Sequence, residues 1–181
     1  MQWQYPCGGM TTSTNRTKWP VNGGAIAIQP GWFQGHATAF FYINLGYGTV
    51  PANMSNPMIS AFEIVGPTKQ PYPGTFCLPQ VPLPANSTVQ VGDNATIQII
   101  ETAVHGAALY NCVDITFAEP EDVAEVNESN CFNSTDISFE LVFTTTSLTS
   151  GADLTFSCPS TWKALSTLAL AILAVTGWMP L

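Results

Sequence analysis

Residues 95–101 read ATIQIIE, and apolar and polar side chains alternate along most of this stretch. Such alternation is typical of a β-strand with one buried face. Helical periodicity is almost absent between residues 1 and 146, and turns rich in proline and glycine separate further short runs of β-branched and aromatic residues. These runs are 25–28, 37–45, 58–65, 88–91, 109–117 and 137–143. The pattern predicts an all-β domain, an antiparallel β-sandwich spanning residues 1–146.

The charge of the chain argues against one class of partner. The 181 residues carry only four Lys and Arg and a formal net charge of −8. Nucleic-acid binding needs clustered cations that neutralise phosphates, so we expect no nucleic-acid partner. Charged residues make up only 9% of the chain, which is low for a bare protein surface.

Six N-x-[ST] sequons offer another source of solubility, because attached glycans would cover the surface of a secreted protein. The alternative is that a chain rich in Ser, Thr and Asn produces such tripeptides by chance. The six predicted glycosylation sites are Asn15, Asn53, Asn86, Asn94, Asn127 and Asn133.

Five cysteines fit an oxidising compartment, and they lack the close paired spacing of a zinc site. Cys158 lies in the C-terminal region, apart from Cys7, Cys77, Cys112 and Cys131. The four remaining cysteines allow three disulfide pairings.

The C-terminal residues 162–181 read WKALSTLALAILAVTGWMPL and carry no charge after Lys163. Three small residues at 150–152 and a spacer at 153–161 precede them. This order is the signal for a glycosylphosphatidylinositol (GPI) anchor, which predicts attachment at Ser150 and removal of the tail together with Cys158. Residues 147–161 would then contain a Ser/Thr-rich stalk and the attachment region. The location expected is the outer face of the plasma membrane or the cell wall; a short tail-anchor helix is the alternative.

Motifs for catalysis are scarce. The chain contains no GxSxG, HExxH, P-loop or GxGxxG pattern, and its two histidines, His36 and His105, lack the spacing of a helical metal site. We expect His105 to be an exposed loop residue, and Trp3 and Tyr5 to pack in the core rather than to form a substrate platform.

Several segments together resemble the fungal copper acquisition factor (Bim-type) domain over about residues 5–146. They are PCGG at 6–9, TNRT at 14–17, Pro20 with GG at 23–24, HATA at 36–39, FCLP at 76–79 and LYNCVDI at 109–115. The resemblance implies an immunoglobulin-like antiparallel β-sandwich, similar to that of lytic polysaccharide monooxygenases. It also implies the disulfides Cys7–Cys112 and Cys77–Cys131.

The family binds one copper ion through a histidine brace, in which an N-terminal His, a second His and an Asp are the ligands. By position, His36 resembles the second histidine and Asp114 the carboxylate. Nitrogen ligands of this kind suit Cu(II). Asp114 lies in an apolar strand, where an unpaired carboxylate is costly to bury; hydrogen bonding at the strand is the alternative to a metal.

The resemblance implies that a leader, the N-terminal His and a first strand precede Met1. We therefore expect the N-terminal strand to be missing and the copper site to be incomplete in this chain, either through a truncated gene assignment or through real loss.

The function expected is that of a non-catalytic, GPI-anchored copper-binding protein that supports copper uptake or homeostasis. Its expected partners are the membrane and either a copper permease or cell-wall glycan. The alternatives are a copper-dependent oxidative enzyme acting on cell-wall polysaccharide and a metal-free structural glycoprotein.

Overall fold

The computed structural model describes residues 2–30, 38–66 and 74–142. The chain divides into two units, Met1–Thr144 and Thr145–Leu181. The predicted stalk, Ser150 and the hydrophobic tail all lie outside the described residues. All the described strands belong to the first unit.

The described part of the chain is all-β, as the sequence predicts. Its helical content is a single 3-10 turn at Pro120–Asp122, and within the described ranges no helix is long and apolar enough to cross a membrane. The strands are β1 Thr17–Pro20, β2 Gly24–Ile28, β3 Thr38–Tyr47, β4 Asn56–Pro57, β5 Phe62–Val65, β6 Phe76–Val81, β7 Asn94–Ala103, β8 Ala108–Ala118 and β9 Ser138–Leu141.

Two sheets enclose the core, in agreement with the predicted sandwich. The large sheet has the order β1-β8-β7-β3-β5-β9, with β4 beside β3, and the small sheet pairs β2 with β6. One pairing differs from the antiparallel prediction, because β1 runs parallel to β8, with Trp19 opposite Phe117. These strands are distant in the chain, so no hairpin forces them to be antiparallel.

The core lies between the sheets. Alternate residues of β3, namely Ala39, Phe41, Ile43 and Leu45, are buried, as the period of a strand requires. Rings from three strands meet there: Phe41 stands 5.7 Å from Phe62 and 5.2 Å from Phe76 between ring centroids. The core therefore joins β3 and β5 of the large sheet to β6 of the small one.

The strand predictions have two kinds of error. β1, β4 and β6 were not expected, and β1 and β6 each contain a proline that weakens the strand pattern. Residues 88–91 do not form a strand. Asp93 Oδ2 accepts a hydrogen bond from the Gln90 backbone N at 2.8 Å, and Gly92 adopts φ 93°, so this run leads into a turn.

Candidate functional site

The N-terminal segment, residues 2–16, lies against the outward face of β7 and β8. In β7, Ala95 and Ile97 face the core, and Thr96 and Gln98 point the other way, yet all four are buried. The cover comes from the segment: Gln98 Nε2 donates to the backbone O of Pro6 at 2.8 Å. Burial of polar side chains under this segment requires such hydrogen bonds.

Two disulfides are present, and they join the cysteines that the resemblance pairs. Cys7 is bonded to Cys112, which fixes the N-terminal segment to β8. Cys77 of β6 is bonded to Cys131, in the connection between β8 and β9.

Asp114 is held tightly under the same segment. Its side chain is 11% exposed. Oδ2 accepts a hydrogen bond from the Ser13 backbone N at 2.6 Å, and Oδ1 accepts one from Thr96 Oγ1 at 2.5 Å. Arg16 Nη1 lies 4.0 Å from Oδ1. Hydrogen bonding, the alternative that the sequence left open for this carboxylate, is thus present at both oxygens.

Arg16 extends this polar cluster to the strand ends. Its guanidinium donates to the backbone O atoms of Ala95, Ile115 and Thr49, at 2.9, 3.2 and 2.6 Å. The side chain is 7% exposed. We call Ser13, Arg16, Thr96 and Asp114 the Asp114 clasp, because they attach the N-terminal segment to the sheet.

The other predicted ligand, His36, lies outside the described residues. Two residues further along the chain, Thr38 begins β3. Asp114 pairs with Thr96, which pairs with Gly46 near the other end of β3. Gly46 is eight positions after Thr38 in β3, which is about 27 Å along a strand. The register therefore does not bring Asp114 near Thr38.

Other acidic residues lie nearer to the start of β3. Thr38 pairs with Val65, which pairs with Ser138, the first residue of β9. Asp136 is two residues before Ser138 and is exposed. Sequence reasoning missed Asp136; a carboxylate directly before a short apolar strand was the available signal.

His105 is exposed, in the turn between β7 and β8, as expected.

Glu101 is a second acidic residue that sequence reasoning missed. It lies in β7 opposite Phe41 and Leu109 and is only 7% exposed. Together with Gln2 and Tyr110 it lines a cleft of about 610 Å³. The alternation along this strand places residue 101 on the same face as the buried Ala95 and Ile97, and that was the available signal.

The described residues alone do not fit a copper ion. Within the described ranges, no group of three or more His, Cys, Asp or Glu side chains lies close enough together to hold a metal. The four described cysteines that could bind copper are engaged in disulfides, and both Asp114 oxygens are engaged in the clasp.

Comparison with known proteins gives the family. Residues 1–136 match the domain described as "Copper acquisition factor BIM1-like". The chain is 66% identical over 178 residues to "Lytic polysaccharide monooxygenase-like protein X325" of Aspergillus fumigatus, covering 98% of this chain and 72% of the relative. It is 76% identical over 148 residues to "Lytic polysaccharide monooxygenase-like protein" of Emericella nidulans, covering 82% and 61%.

A third relative, "Lytic polysaccharide monooxygenase-like protein ham-7" of Neurospora crassa, is 57% identical over 188 residues, which cover 100% of this chain and 79% of the relative. The matched region is thus shorter than each of these relatives. The match in sequence and the β-sandwich together assign the chain to the BIM1-like copper acquisition factor family.

Proposed function

We propose that this chain is a non-catalytic copper-binding protein of the outer cell surface that supports copper uptake or homeostasis. The observation that carries the proposal is the match of residues 1–136 to the copper acquisition factor family. Membership implies a copper-related role and, with it, binding of copper. Non-catalytic function and surface attachment are our own further steps.

For the metal, we propose His36 as a nitrogen ligand, as the resemblance implies. Consecutive Cα atoms are about 3.8 Å apart, so the His36 Cα is within about 8 Å of the Thr38 Cα. Asp114 lies about 27 Å from Thr38 along the strand direction, so the register of the described strands does not favour a shared ion. The pair His36 and Asp114 stays a prediction from the resemblance, and the strand register favours a different carboxylate.

We propose Asp136 as that carboxylate. β3 and β9 both run antiparallel to β5, so they run parallel to each other. Their first residues therefore lie at the same end of the sheet, measured along the strands. His36 and Asp136 each precede the first residue of their strand by two positions. Thr38 and Ser138 are two strands apart, about 10 Å, which two side chains can span towards one ion.

Attachment to the cell surface is supported by the sequence alone. The small residues at 150–152, the spacer and the apolar tail favour a GPI anchor at Ser150, and the six sequons favour passage through the secretory pathway. A copper permease or the cell-wall glycan would be the partner at that surface.

An oxidative enzyme acting on cell-wall polysaccharide is the second candidate, because the relatives are named lytic polysaccharide monooxygenase-like proteins. Incubation of the copper-loaded protein with cell-wall polysaccharide, a reductant and O₂ separates the two functions. Our proposal expects no oxidised oligosaccharides in the soluble fraction, and their appearance in proportion to protein would establish the enzyme.

Copper binding is testable directly by titration of a form of the protein that begins with the N-terminal His implied by the resemblance, secreted from a fungal host and stripped with EDTA, followed by electron paramagnetic resonance. We expect one Cu(II) per chain. His36→Ala is expected to lower the affinity for copper more than a hundredfold, because loss of a metal ligand weakens binding more than loss of a residue that only supports a ligand. His105→Ala is the matched control and is expected to retain the affinity. Absence of bound copper in the unaltered protein would favour the metal-free structural glycoprotein.

A further inference from the structure

The outward face of the large sheet carries a row of aromatic side chains. Tyr42 of β3 lies opposite Ile100 of β7, which lies opposite Tyr110 of β8. The ring of Tyr5 packs edge-on against Tyr110, with centroids 5.6 Å apart. Phe40 stands two residues from Tyr42 and therefore on the same face. We call Tyr5, Phe40, Tyr42 and Tyr110, together with the intervening Ile100, the aromatic face.

Three rings of the aromatic face are exposed to solvent, and the fourth, that of Tyr110, is half-buried. Tyr5 is 62% exposed, Tyr42 42% and Phe40 37%. The expectation that Tyr5 packs in the core is therefore wrong, and Trp3, 67% exposed, is likewise outside it. Cys7–Cys112 places this segment on the sheet surface rather than between the sheets.

The aromatic face is uncharged. Its neighbours on the same three strands are Thr102 and Ala108, which pair with each other across from Phe40. Carboxylates begin on the adjoining strands, with Glu63 opposite Phe40 and Glu140 opposite Glu63. In a chain of net charge −8, uncharged rings bordered by carboxylates disfavour an anionic partner, whereas a neutral partner can pack on the rings without an unpaired charge of its own.

The sequons are concentrated elsewhere. Asn94 begins β7 and its Nδ2 donates to Thr49 Oγ1 just beyond the end of β3. Asn15 adjoins Arg16, which donates to the backbone O of the same Thr49, and Asn53 lies in the same β3–β4 loop as Thr49. Asn86 adjoins Ser87, whose hydroxyl bonds to Tyr47 at the end of β3. These four sequons lie around the opposite end of the sheet, where attached glycans would leave the aromatic face open.

The exposed area favours a small ligand over a protein. A Phe or Tyr side chain can bury about 150–250 Å², so the exposed fractions of Phe40, Tyr42 and Tyr5 amount to roughly 300 Å². A specific protein interface needs about 800 Å² from each partner. An area of about 300 Å² is nonetheless of the size that is often functional on a monomer.

We propose that the aromatic face binds a neutral polysaccharide chain. The aliphatic faces of pyranose rings would pack on the rings of Tyr42 and Phe40, while the hydroxyls of Tyr42 and Tyr110 and the side chain of Thr102 bond to sugar hydroxyls. This binding is non-catalytic and independent of copper. The contact with cell-wall glycan would then be made by the outer face of the large sheet.

The test is a depletion assay of the full chain on insoluble β-1,3-glucan, chitin and mannan particles in the presence of EDTA. We expect saturable binding to at least one polymer, and about tenfold weaker binding for Tyr42→Ala, because the exposed ring contributes most of the apolar contact at that point. Tyr42→Phe keeps the ring and is expected to keep most of the affinity. The polymer that binds identifies the source of the glycan.

Phe132→Ala is the matched control, because Phe132 is 51% exposed and lies outside the aromatic face. Its binding is expected to equal that of the unaltered protein. The proposal is overturned if the unaltered protein binds none of the three polymers, or if Phe132→Ala and Tyr42→Ala lose affinity equally. Concentration-dependent dimerisation that Tyr42→Ala abolishes would also overturn it, in favour of a second copy as the occupant. Because EDTA removes copper, failure here leaves the copper proposal unaffected.

Discussion

Replacement of Asp114 by asparagine is expected to lower the free energy of unfolding by about 3 kcal/mol. The carboxylate accepts hydrogen bonds from the Ser13 backbone N and Thr96 Oγ1, and it faces the guanidinium of Arg16. An amide has one acceptor oxygen, so one of the two donors loses its partner and Arg16 keeps a largely buried charge without its counter-ion. Loss of one member of such a buried group costs more than the group contributes as a whole.

Urea denaturation measures this loss, and Asp122→Asn is the control. Asp122 is an exposed carboxylate in the 3-10 turn, and its replacement is expected to change the free energy of unfolding by less than about 0.5 kcal/mol. An equal effect of the two substitutions would mean that the clasp does not hold the N-terminal segment.

Removal of the Cys7–Cys112 disulfide by the double substitution Cys7→Ser and Cys112→Ser is expected to cost about 4 to 5 kcal/mol. The bond closes a loop of 105 residues, and opening it restores the corresponding chain entropy to the unfolded state. It also releases the N-terminal segment, which covers Gln98 and Asp114. Asp114→Asn and the removal of this disulfide therefore both weaken the attachment of the N-terminal segment to the sheet.

The matched control is the double substitution Cys77→Ser and Cys131→Ser, which opens a loop of 54 residues. By the same relation it is expected to cost about 4 kcal/mol. Hydrogen exchange then distinguishes the two: only the first variant should expose the backbone N of Tyr110, which donates to Gln2 O at 2.7 Å. Protection of Tyr110 in that variant would show that the disulfide is not what fixes the segment.

The sequence predicts the long strands well, because their alternation reflects a single buried face. Residues 95–101 fall within β7 and residues 109–117 within β8. Short strands escape this reasoning: Asn56–Pro57 has no pattern at all, and it exists because it pairs with Asn44 and Leu45 of β3. Their formation depends on neighbours that are distant in the chain.

The candidate site shows a different limit. Asp114 stands out in the sequence because it is a carboxylate in an apolar strand, which suggests a ligand as much as a hydrogen-bonding group. Its partners, Ser13 and Thr96, are ordinary residues 101 and 18 positions away, and nothing local indicates them. Asp136 has the opposite character, since it is inconspicuous in sequence and gains interest only from the pairing of β3, β5 and β9.

Copper affinity measured on Asp136→Asn and Asp114→Asn side by side tests the central claim most directly. The account predicts that Asp136→Asn weakens Cu(II) binding at least tenfold and leaves the free energy of unfolding unchanged, since Asp136 is exposed. It predicts that Asp114→Asn, studied well below its denaturation midpoint, binds Cu(II) as the unaltered protein does. The reverse result, with copper binding lost in Asp114→Asn and retained in Asp136→Asn, would contradict the account. It would mean that Asp114 is a copper ligand rather than only a structural residue, and that Asp136 is not a ligand.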